Sequence, residues 1–281
     1  MNILITGGAG FFGRAFVKRL LQDSQAERIA IFSRNEWNQA QMRAELKDDP
    51  RMRFLIGDVR DSERLRIAMN GVDVVVHAAA LKRIEVAEYN PMETVATNVL
   101  GTENVVRAAI DARVHKAVLL STDKAVNPST LYGLTKGVAE RLFLQAEPYA
   151  TPFGTKFAVC RYGNVSGSTG SVIPVWRRLI ADGHTELPIT DPECTRFWMT
   201  AREAVDLVMG TIETMDGGEL VIPDLPAYRL GDLASVMGAT GLRRIQMSGG
   251  EKTHEEMRPG ETSADARRMS WTELKEAVAN V

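Results

Sequence analysis

Cysteine is scarce in this chain of 281 residues: only Cys160 and Cys194 occur. Two thiols cannot build a disulfide framework, so a reducing, cytoplasmic setting is expected. Charge of one sign is also lacking. Lys and Arg number 34 against 36 Asp and Glu, a formal net charge of −2, which excludes holding nucleic acid by bulk positive charge. There is no long hydrophobic run. The most apolar internal stretch, 72–81, is interrupted by Asp73 and His77 and falls far short of the ~20 residues a spanning helix needs. The N-terminus, MNILITGGAGFFG, has no basic region and runs straight into glycines, so it reads as a buried strand and not a signal peptide. Histidine is rare and its four positions (77, 115, 184 and 254) lack ligand spacing. Beside His254, the second histidine of a zinc-protease motif would fall at Arg258, so no metal site is expected. Repeats and low-complexity tracts are absent.

What is present is the mix of an ordinary globule, 44% hydrophobic and 25% charged, able to bury a full core. At roughly 150 residues per domain the length amounts to about 1.9 domains. Apolar runs at 2–6, 28–32, 51–56, 72–77, 116–120 and 156–161 alternate with helix-like segments at 12–22, 38–47, 62–69, 91–112 and 131–146. Strands this apolar, separated by helices, predict an α/β fold, a Rossmann-type doubly wound parallel sheet covered on both faces. After about residue 165 glycine, proline and threonine become frequent. The expected division is a dinucleotide-binding region over 1–165 and a small substrate lobe over 166–281, packed as one unit.

Residues 6–13 read TGGAGFFG. Gly8, Gly10 and Gly13 satisfy G-x-G-x-x-G, and Gly7, Gly10 and Gly13 give the wider G-x-x-G-x-x-G spacing. Early glycines let the backbone approach a pyrophosphate, and Gly13 lets the next helix lie on the strand. The helix start, with Phe11 and Phe12, offers free N–H groups to phosphate. Where dinucleotide binders of the NAD type usually carry an acid after the second strand, this chain has Ser33 and Arg34. A hydroxyl beside a guanidinium suits a 2′-phosphate, so NADP is favoured. Glu36 nearby keeps NAD open. Asp58 and Val59 follow the third strand and point to the adenine edge, with a helix cap as the other role for Asp58.

Residues 121–136 read STDKAVNPSTLYGLTK. Tyr132 and Lys136, four apart, share a helix face. The ammonium is expected to pull the tyrosine pKa toward neutrality, making a base for a substrate hydroxyl. Thr122, Asp123 and Lys124 fall at the carboxyl end of the fifth strand, where open α/β sheets meet ligands.

On these motifs the chain resembles an extended short-chain dehydrogenase/reductase. More narrowly, it resembles the inverting UDP-N-acetylglucosamine 4,6-dehydratases of the polysaccharide-biosynthesis family. The stretches FSRNE, HAAALKRIEVAEYNPMETVATNVLGTENV, RYGNVSGSTGSVIP and PITDPECTRFWMT carry the likeness over most of 1–200. The resemblance implies oxidation at sugar carbon 4, loss of water across carbons 5 and 6, and hydride return to carbon 6, with NADP kept bound. It implies Asp123 as acid and Lys124 as carbon 5 base. Ala78, Ala79, Ala80, Lys82 and Asn98 are expected on the cofactor side, Lys82 also toward substrate. Asn164, Val172, Thr195 and Arg196 are expected to hold the nucleotide sugar. The family forms homo-oligomers. A 4-epimerase of the same superfamily and a non-catalytic NADP-binding scaffold are the alternatives. The chain departs from the family near its end. An Arg-Pro-Gly-Glu-Lys-Leu-His-Glu-Glu run is replaced by SGGEKTHEEM at 248–257, so Ser248 and Gly249 stand for Arg-Pro. Arg258 is then the candidate for the diphosphate.

Overall fold

Six of the apolar runs become parallel strands: β1 (Asn2–Thr6), β2 (Arg28–Ser33), β3 (Met52–Ile56), β4 (Val74–His77), β5 (Lys116–Leu120) and β6 (Lys156–Cys160). The computed structural model describes every residue except 23, 24, 151–153 and 248. The strands lie in the order β3-β2-β1-β4-β5-β6, and a seventh strand, Glu219–Val221, pairs beside β6. All six pairings are parallel. Each strand therefore delivers its carboxyl end to the same edge of the sheet.

Alternation along the strands sends neighbours to opposite faces. Ile3 and Ile5 of β1 join one core with Phe16 and Val17, while Leu4 joins the other with Leu65 and Val105. The first core also takes Phe197, Met199, Val208 and Met257, so the later part of the chain completes a face of the sheet. A third cluster gathers Trp176, Leu187, Trp198, Leu233 and Leu274. Among the described residues no helix is long and apolar enough to cross a membrane.

Two local differences from the sequence reading have plain causes. The second helix starts earlier than expected, at Glu36, because the Asn35 side chain caps it by accepting from Asn38 N; this is the usual work of Asn at a helix start. The single helix expected over 91–112 is three pieces: α-helical Pro91–Val95, a π-helical turn Ala96–Leu100 and α-helical Gly101–Asp111. The widened turn carries the buried Asn98, and such turns often mark functional positions.

The glycine loop joins β1 to helix α1 (Phe11–Gln22). A Cβ on Gly13 would lie 2.2 Å from the Gly8 carbonyl oxygen. Gly7 takes φ +67°, and a Cβ there would sit 2.9 Å from the backbone of Ala79. Side chains at these two points would push the loop away from β1 and from the chain after β4. Replacing Gly13 with Ala should therefore lower stability by about 1–3 kcal/mol and abolish dinucleotide binding, read by denaturant unfolding and cofactor titration.

Below this edge, His77 is fully enclosed between Thr6 Oγ1 at 2.6 Å and Thr102 Oγ1 at 3.0 Å. Burial, aided by the nearby Lys136, lowers its pKa from 6.5 to about 3. As pH falls below 6.5 the unfolded chain binds a proton that the folded chain refuses. Stability should fall by up to about 1.4 kcal/mol per pH unit from this group alone. Unfolding curves at successive pH values should show a shallower dependence in a His77→Asn variant.

Candidate active site

A cleft of about 780 Å³ runs along the carboxyl edge of the sheet. At one end the glycine loop lines it through Gly7, Gly10, Phe11, Phe12 and Gly13. Ser33 and Arg34 follow at the end of β2, and Asp58 and Val59 after β3. Asp58 is shared between two guanidinium groups. Arg34 Nη1 lies 3.5 Å away, and Arg60 grips the same carboxylate at 2.7 Å. Burial works to raise the Asp58 pKa, but the bonds from Arg60 and the charge of Arg34 hold it low. The cap of the following helix is Asp61, not Asp58. The Ser33 hydroxyl accepts from Gln39 Nε2 at 3.0 Å, which leaves its proton free to donate.

Ala78, Ala79, Ala80 and the exposed Lys82 continue the wall after β4. Asn98 does not line it. Its side chain accepts from Leu81 N at 2.8 Å, donates to Leu81 O at 3.0 Å and donates to Thr135 Oγ1 at 3.1 Å. It thus ties the loop after β4 to the helix Leu131–Leu144. That placement is structural support for the wall rather than a contact surface.

The candidate reactive groups come from the end of β5 and that same helix. The β5–β6 pairing continues past the strand end: Ser121 N donates to Cys160 O at 2.7 Å and Asp123 N to Tyr162 O at 3.1 Å. This fixes the short helical turn Asp123–Ala125. Thr130 caps Leu131–Leu144 by accepting from Gly133 N. A Cβ on Gly133 would sit 2.2 Å from Lys124 O, so glycine lets the helix press Tyr132 against that turn. Thr122, Lys124, Tyr132 and Lys136 all line the cleft. Asp123 lies directly behind, fully buried, with Oδ2 lacking a hydrogen-bond partner among the described residues. Gly163 is the wall residue in front of it, and a Cβ there would come 3.5 Å from Oδ2.

The electrostatics differ from the sequence reading at Tyr132. Lys136 does not act on it directly: its Nζ donates to Leu120 O at 2.6 Å, and burial lowers its pKa to about 8 against the opposing pull of Glu140. Tyr132 is pushed up to about 12 by burial. The groups pulling it down are Lys124 and a hydrogen bond with Thr122. Thr122 Oγ1 also donates to Asp123 Oδ1 at 2.9 Å, so one hydroxyl links the phenol to the carboxylate. Burial raises the Asp123 pKa, with Glu255 adding to the effect. Burial opposes the charge on Lys124, but Asp123 and Glu255 outweigh it and hold the ammonium charged.

On the far side, Asn164 lines the cleft and accepts from Lys124 Nζ at 3.3 Å. Val172 and Arg196 line it too. The Arg196 guanidinium is largely engaged already, donating to Glu251 Oε1 at 2.9 Å and to the carbonyls of Thr195 and Thr253. Thr195 is buried against His254 and Ser263 and does not reach the cleft. Nor does Arg258. It is bound to Glu261 at 2.8 Å, Asp224 at 3.4 Å and the Ile222 carbonyl at 3.0 Å, so the expectation that it replaces the missing diphosphate arginine fails on placement. Ser248 lies outside the described residues. Sequence reasoning missed Glu255, 2.9 Å from Lys124 Nζ; the only signal was that it stands in the His254–Glu256 stretch of the altered run. It also missed the Arg161–Glu140 pair beneath the site, joined at 2.6 Å, because Arg161 only opens the RYGNVSGSTGSVIP stretch and Glu140 belongs to no motif.

The chain is 48% identical over 257 residues to a UDP-N-acetylglucosamine 4,6-dehydratase (inverting) from Campylobacter jejuni subsp. jejuni, covering 91% of this chain and 77% of the relative. It is 41% identical over 273 residues to a UDP-glucose 4-epimerase from Rickettsia conorii, covering 94% and 80%. Among solved structures, Pen from Bacillus thuringiensis superposes with a TM-score of 0.95 at 34% identity, covering 100% of this chain and 97% of that one. The family model described as polysaccharide biosynthesis protein matches residues 3–274. With that span, and with relatives of this identity along nearly its whole length, the chain belongs to the polysaccharide biosynthesis protein family.

Proposed function

We propose that the protein is a nucleotide-sugar 4,6-dehydratase acting on UDP-N-acetylglucosamine with inversion at carbon 5, and that it keeps NADP bound. The observation that carries the reading is the Asp123–Lys124 pair seated beside Tyr132 at the end of β5. A site that only moves hydride has no use for a buried carboxyl and an ammonium 3.2 Å apart. Water elimination needs both an acid and a base.

The cradle fits a dinucleotide. Gly7 and Gly13 stand where any Cβ would clash, and the start of α1 offers free N–H groups to phosphate. Ser33 and Arg34 at the rim match a 2′-phosphate. Bound there, the nicotinamide supplies hydride removal at carbon 4 and hydride return at carbon 6. The chain's own groups handle the protons. Tyr132 Oη takes the carbon 4 hydroxyl proton in its ionised form, which the Lys124 charge and the Thr122 hydrogen bond favour against burial. The new ketone acidifies carbon 5, and the neutral-amine form of Lys124, a minor share against the pull of Asp123 and Glu255, takes that proton. Asp123, whose burial favours the protonated form, gives its proton to the hydroxyl leaving carbon 6. The enolate left after hydride return takes a proton from solvent at carbon 5 on the face opposite Lys124, which inverts that carbon, and Lys124 gives its own proton to solvent. The Tyr132–Thr122–Asp123 hydrogen bonds offer a route for the first proton to replace the last. Residues 1–165 supply the cofactor site and 166–281 enclose the sugar nucleotide. We place the protein in the cytoplasm, as a homo-oligomer.

The epimerase relative supports a second reading, since Tyr132 and Lys136 would serve a 4-epimerase as well. Incubation with UDP-N-acetylglucosamine should give a product lighter by one water, seen by mass spectrometry, with no net change in nicotinamide absorbance. A product of unchanged mass, epimeric at carbon 4, would favour the second reading. Lys124→Ala should bind cofactor normally yet lose about 10²-fold or more of turnover; full activity would remove Lys124 from its role.

Arg34→Ala should weaken NADP by about 10–100-fold, the loss of a charge-assisted pair, and leave NAD nearly unchanged. Fluorescence titration with each cofactor separates the two, and equal losses would point to NAD as the natural ligand.

A further inference from the structure

Glu255 lies near the far end of the chain from the catalytic turn, yet it is only 2% exposed and packed against it. Its Oε1 is 2.9 Å from Lys124 Nζ and 3.9 Å from Arg196 Nε. The stretch 253–257 that carries it is pinned at three points. Thr195 N donates to Thr253 O at 3.0 Å, Glu255 N to Ser263 Oγ at 3.0 Å, and Arg161 Nη1 to Met257 O at 2.9 Å. Lys124 and Glu255 together line a side cavity of about 120 Å³ that also touches Asn164 and Arg196. Glu255 Oε2 has no hydrogen-bond partner among the described residues. A carboxylate buried at this depth costs several kcal/mol unless paired, so its placement needs a reason.

We propose that Glu255 is a positioning residue for Lys124: it anchors the ammonium at the cleft and sets how strongly Lys124 holds its proton. The proposal rests on the reading of Lys124 as the carbon 5 base. The groups facing the pair are Asp123 from the same turn, Arg196 from the strand Thr195–Phe197, Tyr132 and Tyr228 across the site, and Lys252 on the Glu255 side. Glu251 answers Arg196. Glu255 and Glu251 thus face Lys124 and Arg196, so Asp123 is not the sole anion beside the ammonium. Burial opposes ionisation of Glu255, but Lys124 and Arg196 keep it ionised. Asp123 then starts the cycle with a proton to give. The share of neutral amine on Lys124 then depends on an anion that does not line the main cleft.

Competitive labelling of lysines with acetic anhydride across a pH series, read by peptide mass spectrometry, tests this without turnover. In the wild type Lys124 should label with a midpoint above that of the exposed Lys18. In Glu255→Gln the Lys124 midpoint should fall by about one pH unit or more, a tenfold loss of proton affinity. Glu255→Asp, which keeps the charge, should retain most of the wild-type value. Deuterium uptake at carbon 5 should show its acidic limb moving down in step. An unmoved midpoint in Glu255→Gln overturns the proposal, as does a wild-type midpoint at or below that of Lys18, whatever the variants do. Shifted labelling in an enzyme that releases no water would sink the dehydratase reading and leave the Glu255 assignment standing.

Discussion

A buried cation is the constraint around which the reactive end of this molecule is organised. Lys124 sits in a place where an unpaired ammonium would not stay charged. The fold answers with carboxylates from two distant parts of the chain, Asp123 beside it and Glu255 from the C-terminal run. Neither is free to be elsewhere. Asp123 is fixed by backbone pairing with Tyr162, and Glu255 by Ser263. Arg196 joins the same cluster and is balanced by Glu251. The result is a dense set of charges whose net value is small and whose geometry is held by main-chain bonds.

The parallel sheet makes this economical. Six parallel pairings place all seven strand ends at one edge, so the glycine loop, the Ser33–Arg34 rim, the alanine run and the catalytic turn need no long excursions to meet. Glycines then remove the obstacles between them. Gly13 seats α1 on the loop, Gly133 seats the tyrosine helix on the lysine turn, and Gly163 leaves the front of Asp123 uncovered. Each acts at a contact that a methyl group would break.

Much of this was legible in the sequence, and for identifiable reasons. Hydrophobic alternation and apolar runs are local signals, so β1 to β6 and the fold class could be read directly. The glycine loop and the Tyr132/Lys136 spacing are local as well. What escaped depends on contacts between distant segments. The seventh strand, Glu219–Val221, is three residues long and gains its status only by pairing with β6. The π turn at Ala96–Leu100 interrupts a pattern that reads as one helix. Arg258 looked like a phosphate ligand because an arginine was missing nearby, but the local hairpin captures it with Glu261. Lys136 was expected to act on Tyr132 from helical spacing alone. Helical spacing places two side chains on one face; it does not decide which acceptor the ammonium chooses, and the carbonyl of Leu120 is closer.

The tie between Arg161 and the Met257 carbonyl has a consequence for how the molecule comes into being. Arg161 follows β6 and is matched by Glu140 as well, so one guanidinium joins the helix Leu131–Leu144 to the segment that carries Glu255. Lys124 needs a carboxylate that is made far later in the chain than itself, and Arg161 is the hook on which that segment catches. Shape alone therefore does not complete the charge cluster: until the segment with Glu255 is seated, Lys124 lacks one of its two carboxylates.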